Sequence, residues 1–248
     1  MNFGGGNFLS GLPEVVKNLL IINVLMLLAT FVAFQAGIDL PEILGLHHWS
    51  SEVFRPHQLI TYMFMHGGLA HLFFNMFALY MFGRVLEQVW GSKRFLIYYM
   101  VTGIGAGLLQ LLVTEIRIMD LASQIDPELY EVVLAEGHSI RESGQNFVDH
   151  NAREINNLIN TSTVGASGAV FGILLAFGML FPNVRLMLLI PPIPMKAKYF
   201  VAIYGALELY LGIANNPSDN VAHFAHLGGM LFGFFLIRYW RKNTNEFF

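Results

Sequence analysis

Ser167, the histidines His223 and His226, and the pair His71 and Asn75 are of the side-chain types that acyl transfer requires. A serine hydroxyl becomes a useful nucleophile when a base within hydrogen-bond reach takes its proton. Imidazole, which titrates near neutral pH, suits that role. His223 and His226 stand three apart in HFAHLGGMLFG, so both can face inward, and spacing leaves the choice of base between them open. A tetrahedral intermediate also needs donors aimed at its oxyanion. His71 and Asn75 stand four apart in HLFFN, share one helix face and can point at one spot. The backbone N–H of Ser167, placed at a helix start, would add a donor in a favourable dipole. No Asp or Glu lies in these helix starts, so no orienting acid is evident and a Ser–His dyad is the economical expectation.

Each motif alone has a plainer reading. Gly165-Ala166-Ser167-Gly168 is also a common packing sequence, since small residues let membrane helices approach closely. A lone intramembrane histidine can simply bond a carbonyl, and Asn75 can be interhelical glue. What separates the readings is where the elements place these residues.

The chain of 248 residues is 55% hydrophobic and 12% charged, with a mean hydropathy of +0.54. Soluble proteins carry about 25% charged residues, so this composition points to a polytopic membrane protein. The net charge of −3 gives no hint of nucleic acid. The absence of cysteine removes disulfides, thiolate metal sites and a cysteine nucleophile, and no cofactor or metal is expected.

A bilayer core about 30 Å thick needs roughly 20 apolar residues per helix. Six spans are expected: Val15–Phe34, read as uncleaved, then Leu69–Val85, Phe95–Thr114, the short Ala166–Phe181, Tyr199–Ala214 and Val221–Trp240. Pro191, Pro192 and Pro194 mark the turn between the fourth and fifth, and Asn215–Asn220 the turn between the fifth and sixth. The fold class is thus an all-α membrane protein, a single domain over 1–248. Arg84, Lys93 and Arg94, then Arg185, Lys196 and Lys198, then Arg238, Arg241 and Lys242 fall on one side if both termini are cytoplasmic. The acidic stretch 115–162 falls on the other side. The second, fourth and sixth spans then run outside to inside, and each begins with its own part of the chemistry at similar depth. Polar residues inside a membrane are costly and tend to mark function. Gly165, Gly168 and Gly172, with Gly229 and Gly233, offer small faces that would bring the fourth and sixth helices together.

The stretch 115–162 holds nine of the seventeen acidic residues. Asp126 and Pro127 read as a helix cap and first position, followed by Leu129, Val132 and Val133, with Gly137 as the stop. Val148, Ala152, Ile155 and Ile159 form a second apolar stripe. Two short amphipathic helices on the membrane surface or capping the bundle are expected.

The pattern resembles the rhomboid family of intramembrane proteases across nearly all of the chain. The second-helix signature reads His66, four residues, His71, three residues, Asn75. The nucleophile motif is Gly165-Ala166-Ser167-Gly168, and the sixth-helix motif is Ala225-His226, then Gly229 and Gly233. This resemblance implies His226 as the base and His223 as a site-lining residue. It implies Glu87 and Gly91 as a structural element on the cytoplasmic side. Phe54-Arg55 stands for the family's Trp-Arg pair in an embedded first loop, Gly37–Gly68. Phe171 stands for a tyrosine four residues after the nucleophile and is expected to pack on the His226 ring without offering a hydroxyl. The resemblance further implies a serine endopeptidase of the bacterial inner membrane, with its active site opening to the extracytoplasmic side. Its partners would be the bilayer and single-pass transmembrane substrates, entering beside the fifth helix and Asn215–Asn220. An inactive relative would be expected to lack the serine or the base. A transporter or metal site built on His66, His71, His223 and His226 would leave the serine motif unexplained.

Overall fold

The computed structural model describes residues 11–187, 192–214 and 221–243, with Asn243 as backbone only. Pro191 and the expected turn and gate at 215–220 lie outside these residues. Among the described residues, four helical stretches are long and apolar enough to cross a membrane. They are α1 (Glu14–Gln35), the stretch Leu69–Trp90, α6 (Ser92–Ala122) and α10 (Ala197–Ala214). The second combines α4 (Leu69–Ala78), one wider turn at Leu79–Gly83 and α5 (Arg84–Trp90). Leu25, Leu28, Val32 and Phe34 on α1, Phe73 and Phe74 on α4, and Tyr210 and Ile213 on α10 are exposed. Apolar surface on that scale suits lipid rather than water.

Two further helices pack among these. α9 (Ser167–Leu180) has 14 residues and is buried along nearly its whole length, chiefly between α6 and α11 (His223–Asn243). At 1.5 Å per residue α9 is only about 21 Å long. A helix sheathed by protein need not reach across the lipid, because Gly165 and Ala166, which lead into it, are also buried in protein.

Glu87 gives the turn after α5 its purpose. Its carboxylate accepts the N–H groups of Val15 at 2.9 Å and Val16 at 2.8 Å, and the Ser92 hydroxyl at 2.6 Å. It therefore satisfies orphan donors at the start of α1 and places a negative charge at that helix's positive end. Gly91 turns the chain into α6 with φ +76°.

The expected third span ending at Thr114 is too short, because α6 runs on to Ala122 and includes Glu115. Its extension is held by α7 (Pro127–Glu142) and α8 (His150–Asn160), which bury Ile118, Val133, Ala152, Ile155 and Ile159 as a satellite core. Asp126 caps α7 as expected, accepting the Glu128 N–H at 2.8 Å. Gly137 does not stop α7. It lies inside the helix, where a Cβ would strike the Asn156 side chain, so it lets α8 cross closely. The chain turns instead at Gly144, with φ +76°. Val148 is 96% exposed and precedes the Asp149 cap, so it does not join the apolar stripe.

The two helices brace the loop between α1 and α4. That loop contains the short helices α2 (Leu40–Leu44) and α3 (Gln58–Thr61). Ser51 donates to Asn160 Oδ1 at 2.8 Å, Trp49 Nε1–H donates to Glu115 at 2.9 Å, and His48 sits 3.1 Å from the same carboxylate. Burial holds His48 below its ordinary pKa despite Glu115, and the hydrogen bond from His47 holds Glu42 below its own. Leu46 and Thr163 exchange backbone hydrogen bonds of 2.9 and 2.8 Å. Phe54 packs on the main core while Arg55 bonds its own loop through the carbonyls of Glu52 and Phe54.

One feature departs from an all-helical chain. β1 (Arg185–Met187) pairs antiparallel with β2 (Pro194–Lys196) between α9 and α10. Proline clusters forbid helix there but leave an edge pairing open.

Candidate active site

Ser167 is the first residue of α9, and Gly165 prepares its position. Gly165 has φ +133°, a conformation other residues rarely adopt, and its N–H bonds Tyr62 O at 2.9 Å. A Cβ on Gly165 would sit 2.8 Å from His71 Nε2 and 3.5 Å from Ser167 Oγ. The glycine thus lets His71 and the serine hydroxyl share one small space.

Helix α11 brings the histidines. A Cβ on Gly229 would run into the Gly168 carbonyl, so α11 rests directly on the backbone of α9. Gly168 in turn faces Ala106 of α6, and Gly172 faces Thr102. Gly233 makes room for the Tyr98 hydroxyl, which donates to Gly172 O at 2.8 Å. The glycine faces therefore have the close-packing use that helix approach requires. One turn before Gly229, His226 Nε2 lies 2.8 Å from Ser167 Oγ. The Phe171 ring stacks on the His226 imidazole, 4.1 Å between centroids and 7° between planes.

The structure adds a residue that the sequence reading passed over. Glu208, on α10, places Oε2 2.8 Å from His226 Nδ1 and 2.7 Å from His223 Nδ1. All three residues are buried, at 7–8% exposure. An acid does stand beside the candidate base, which corrects the expectation of none. It comes from the fifth helix rather than from the helix starts that carry the motifs. The signal was available: Glu208 is the one acidic residue in an otherwise apolar span, and such residues face the bundle interior.

The three groups offer ligand atoms within 4.8 Å of one another, so a carboxylate for a metal set is also present. Contacts of 2.7 and 2.8 Å are hydrogen-bond distances. Two ligands on one zinc, each bonded at about 2.0 Å, would stand about 3.3 Å apart.

His71 is oriented by its own loop. The Gly67 N–H bonds its Nδ1 at 3.4 Å, which leaves Nε2 as the protonated nitrogen facing Gly165 and Ser167. His66 lies edge-on to His71, 5.0 Å between ring centroids, and burial pushes its pKa down to about 4. Asn75 is buried one turn further along α4, with its amide donating to His71 O at 3.1 Å. Its side chain is engaged with its own helix rather than aimed at the serine.

The family profile described as Rhomboid domain matches residues 52–124 and 129–243. Rhomboid protein 1, mitochondrial, of Saccharomyces cerevisiae is 26% identical over 175 residues, which cover 71% of this chain and 39% of that protein. Rhomboid protease GluP of Bacillus subtilis is 45% identical over 47 residues, covering 19% of this chain and 9% of the relative. RHOMBOID-like protein 6, mitochondrial, of Arabidopsis thaliana is 42% identical over 55 residues, covering 22% and 18%. The chain thus matches less than half the length of each of these relatives. With the profile spanning the elements that carry Ser167, His226, His71 and Asn75, the chain belongs to the rhomboid family.

Proposed function

We propose that the chain is an intramembrane serine endopeptidase that cleaves transmembrane-helix substrates with Ser167 as nucleophile and His226 as general base. The observation that carries this reading is the 2.8 Å contact between His226 Nε2 and Ser167 Oγ at the partly buried start of a short apolar helix. Ser167 Oγ attacks the scissile carbonyl carbon, its proton passes to His226 Nε2, and the carbonyl oxygen becomes an oxyanion. His226 then gives that proton to the leaving amine nitrogen as the C–N bond breaks. Water, deprotonated by His226, releases the acyl group and restores the serine. In this reading the Ser167 N–H at the α9 terminus and His71 Nε2–H donate to the oxyanion. Asn75 joins them once its amide turns from His71 O, as catalytic hydrogen bonds often tighten only when substrate is bound. Phe171, His223, Gly165, Gly229 and Gly233 line or shape the site. A fluorophosphonate probe tests the reading: it labels the wild-type chain, and labelling of a folded Ser167→Ala protein would refute the assignment.

The oxyanion roles carry their own expectation. His71→Ala and Asn75→Ala each lower turnover by on the order of 10²–10³, with substrate binding affected less. Turnover unchanged in both single variants and in the double would reject the role.

In this reading the chain is one membrane domain over 1–248 with six spans. α9 and α11 join the four longer stretches, and the loop 37–68 lies against the bilayer. Both termini are cytoplasmic in an inner membrane, and the insertion 115–162 and the site open outward. The substrates are single-pass transmembrane proteins that enter beside α10. Ser139 is exposed on α7, so Ser139→Cys reacts with an impermeant maleimide from outside intact cells, and Asn243→Cys does not. No native cysteine interferes. The opposite labelling would invert the topology.

A further inference from the structure

A Ser–His dyad leaves Glu208 without a task, yet its placement is costly. α10 is largely exposed along its length, and its buried residues are Ala197, Val201 and Glu208. Ala197 and Val201 seat its first half on α9 at Gly178, and Gly212 seats its second half against His223 and Phe224. The one acid of the helix is turned inward onto two imidazoles, and one oxygen, Oε2, meets both Nδ1 atoms. An ionised carboxylate only accepts, so each Nδ1 that meets it must carry a proton.

We propose that Glu208 is the positioning residue of His226: its carboxylate holds the Nδ1–H tautomer, aims the Nε2 lone pair at Ser167 Oγ, and stabilises the imidazolium formed during acylation. The proposal rests on the serine-protease reading and extends it from a dyad to a three-residue relay of orientation. No proton passes to Glu208. The proton from Ser167 Oγ stays on His226 Nε2 until the leaving amine takes it, and the carboxylate supplies the counter-charge meanwhile. A carboxylate that fixes tautomer and ring orientation does the same for other serine hydrolases on unrelated folds. The second bond, from His223 to the same oxygen, helps hold the carboxylate in place, as supporting hydrogen bonds must if a base is to be oriented tightly. Because Glu208 comes from α10, the base is complete only while α10 is seated on α11.

The groups around the His226 ring define what a pH measurement reads. Glu208 faces it from α10, His223 from its own helix, Ser167 and Phe171 from α9, and His71 from α4 across the Gly165 gap. At this end α6 offers Ala106 and Leu109, which do not titrate. Among the described residues, Glu208 is the one carboxylate in that set.

The test uses the full chain in proteoliposomes with a transmembrane substrate. Glu208→Gln keeps the shape but presents a neutral amide. It is expected to lower kcat and the rate of fluorophosphonate labelling by the same factor, on the order of 10² or more, while KM changes by less than about threefold. The acid limb of its pH–rate profile moves to lower pH, because the imidazolium has lost its counter-charge. Glu208→Asp restores part of the rate, and His223→Ala costs less than Glu208→Gln. A folded Glu208→Gln protein with an unchanged kcat and acid limb overturns the proposal. So does an equal loss in His223→Ala and Glu208→Gln with the acid limb unmoved, which would make the carboxylate a helix clamp. Should Glu208→Gln fail to fold, the wild-type chain decides. With ¹⁵N-labelled histidine, the His226 signal, identified by its loss in His226→Ala, must show a protonated Nδ1 in the resting enzyme. An unprotonated Nδ1 overturns the proposal. Ser167→Ala separates the two levels: if it retains turnover the protease reading fails, whereas its inactivity beside a fully active Glu208→Gln removes only the role of Glu208.

Discussion

Replacing Ser167 or His226 by alanine is expected to lower cleavage of a transmembrane substrate by a factor on the order of 10⁴ or more, to the background of the assay. The expected loss is large because the proposed mechanism uses the two side chains as one unit. Without Ser167 Oγ there is no atom to form the acyl bond, and without His226 Nε2 the hydroxyl keeps its proton and the leaving amine receives none. Double replacement should cost little more than either single change, since both remove the same step. Ser167→Ala removes one half-exposed hydroxyl and leaves the glycine contacts of α9 untouched, so its thermal unfolding should match wild type. His226→Ala also uncovers the stacked face of Phe171 and takes one of the two imidazoles from Glu208, so a modestly lower Tm is expected for it. The measurement is steady-state cleavage in proteoliposomes beside thermal unfolding of the same preparations. Turnover by either folded variant within tenfold of wild type would remove Ser167 and His226 from the mechanism.

Gly229→Val is the second large effect, and it acts through the backbone. A Cβ at this position would occupy the space of the Gly168 carbonyl, which cannot swing aside as a side-chain tip can. α11 must move away from α9, and the shift opens the contact between His226 and Ser167 one helical turn away. Overpacking of a close contact typically costs about 1–3 kcal/mol. The loss of activity should exceed what that instability explains, with turnover down by on the order of 10² or more, because a misplacement of about 1 Å suffices for that. Gly205→Ala is the control. Its Cβ would meet Met230 Cε at 3.1 Å, the flexible end of a long side chain, so stability and turnover should stay near wild type. If Gly229→Val retains full turnover, the close approach of α9 and α11 is not what seats the pair.

The insertion shows how local rules and long-range packing divide the work. The Asp126-Pro127 cap was legible because an aspartate accepting the N–H two residues on, followed by proline, is a local matter of three residues. Gly137 was misread as a stop for the opposite reason. Within the chain a glycine after an apolar stripe looks like a terminator, and only the arrival of Asn156 from α8 shows that it clears a crossing. Val148 fits the stripe by spacing but falls before the Asp149 cap.

What the sequence by itself determined is what depends on composition and on one helix at a time. The apolar spans follow from the energy of placing side chains in hydrocarbon. The shared face of His71 and Asn75, and the sparing use of serine, histidine and glycine at helix starts, follow from helix geometry and from the cost of polar groups in lipid. What only the tertiary structure decided is which polar groups meet. Glu208 lies eighteen residues before His226 and belongs to another helix. Its partnership depends on how α10 is rotated and seated, which Val201 at Gly178 and Gly212 at Phe224 control together. The direction of the Asn75 amide, toward His71 O, is a choice among rotamers that spacing cannot make. The bracing of the first loop by Asn160 joins residues 109 positions apart. In a membrane the cost of a polar group is set locally, but its relief comes from whichever neighbour packing delivers, and packing is a property of the whole bundle.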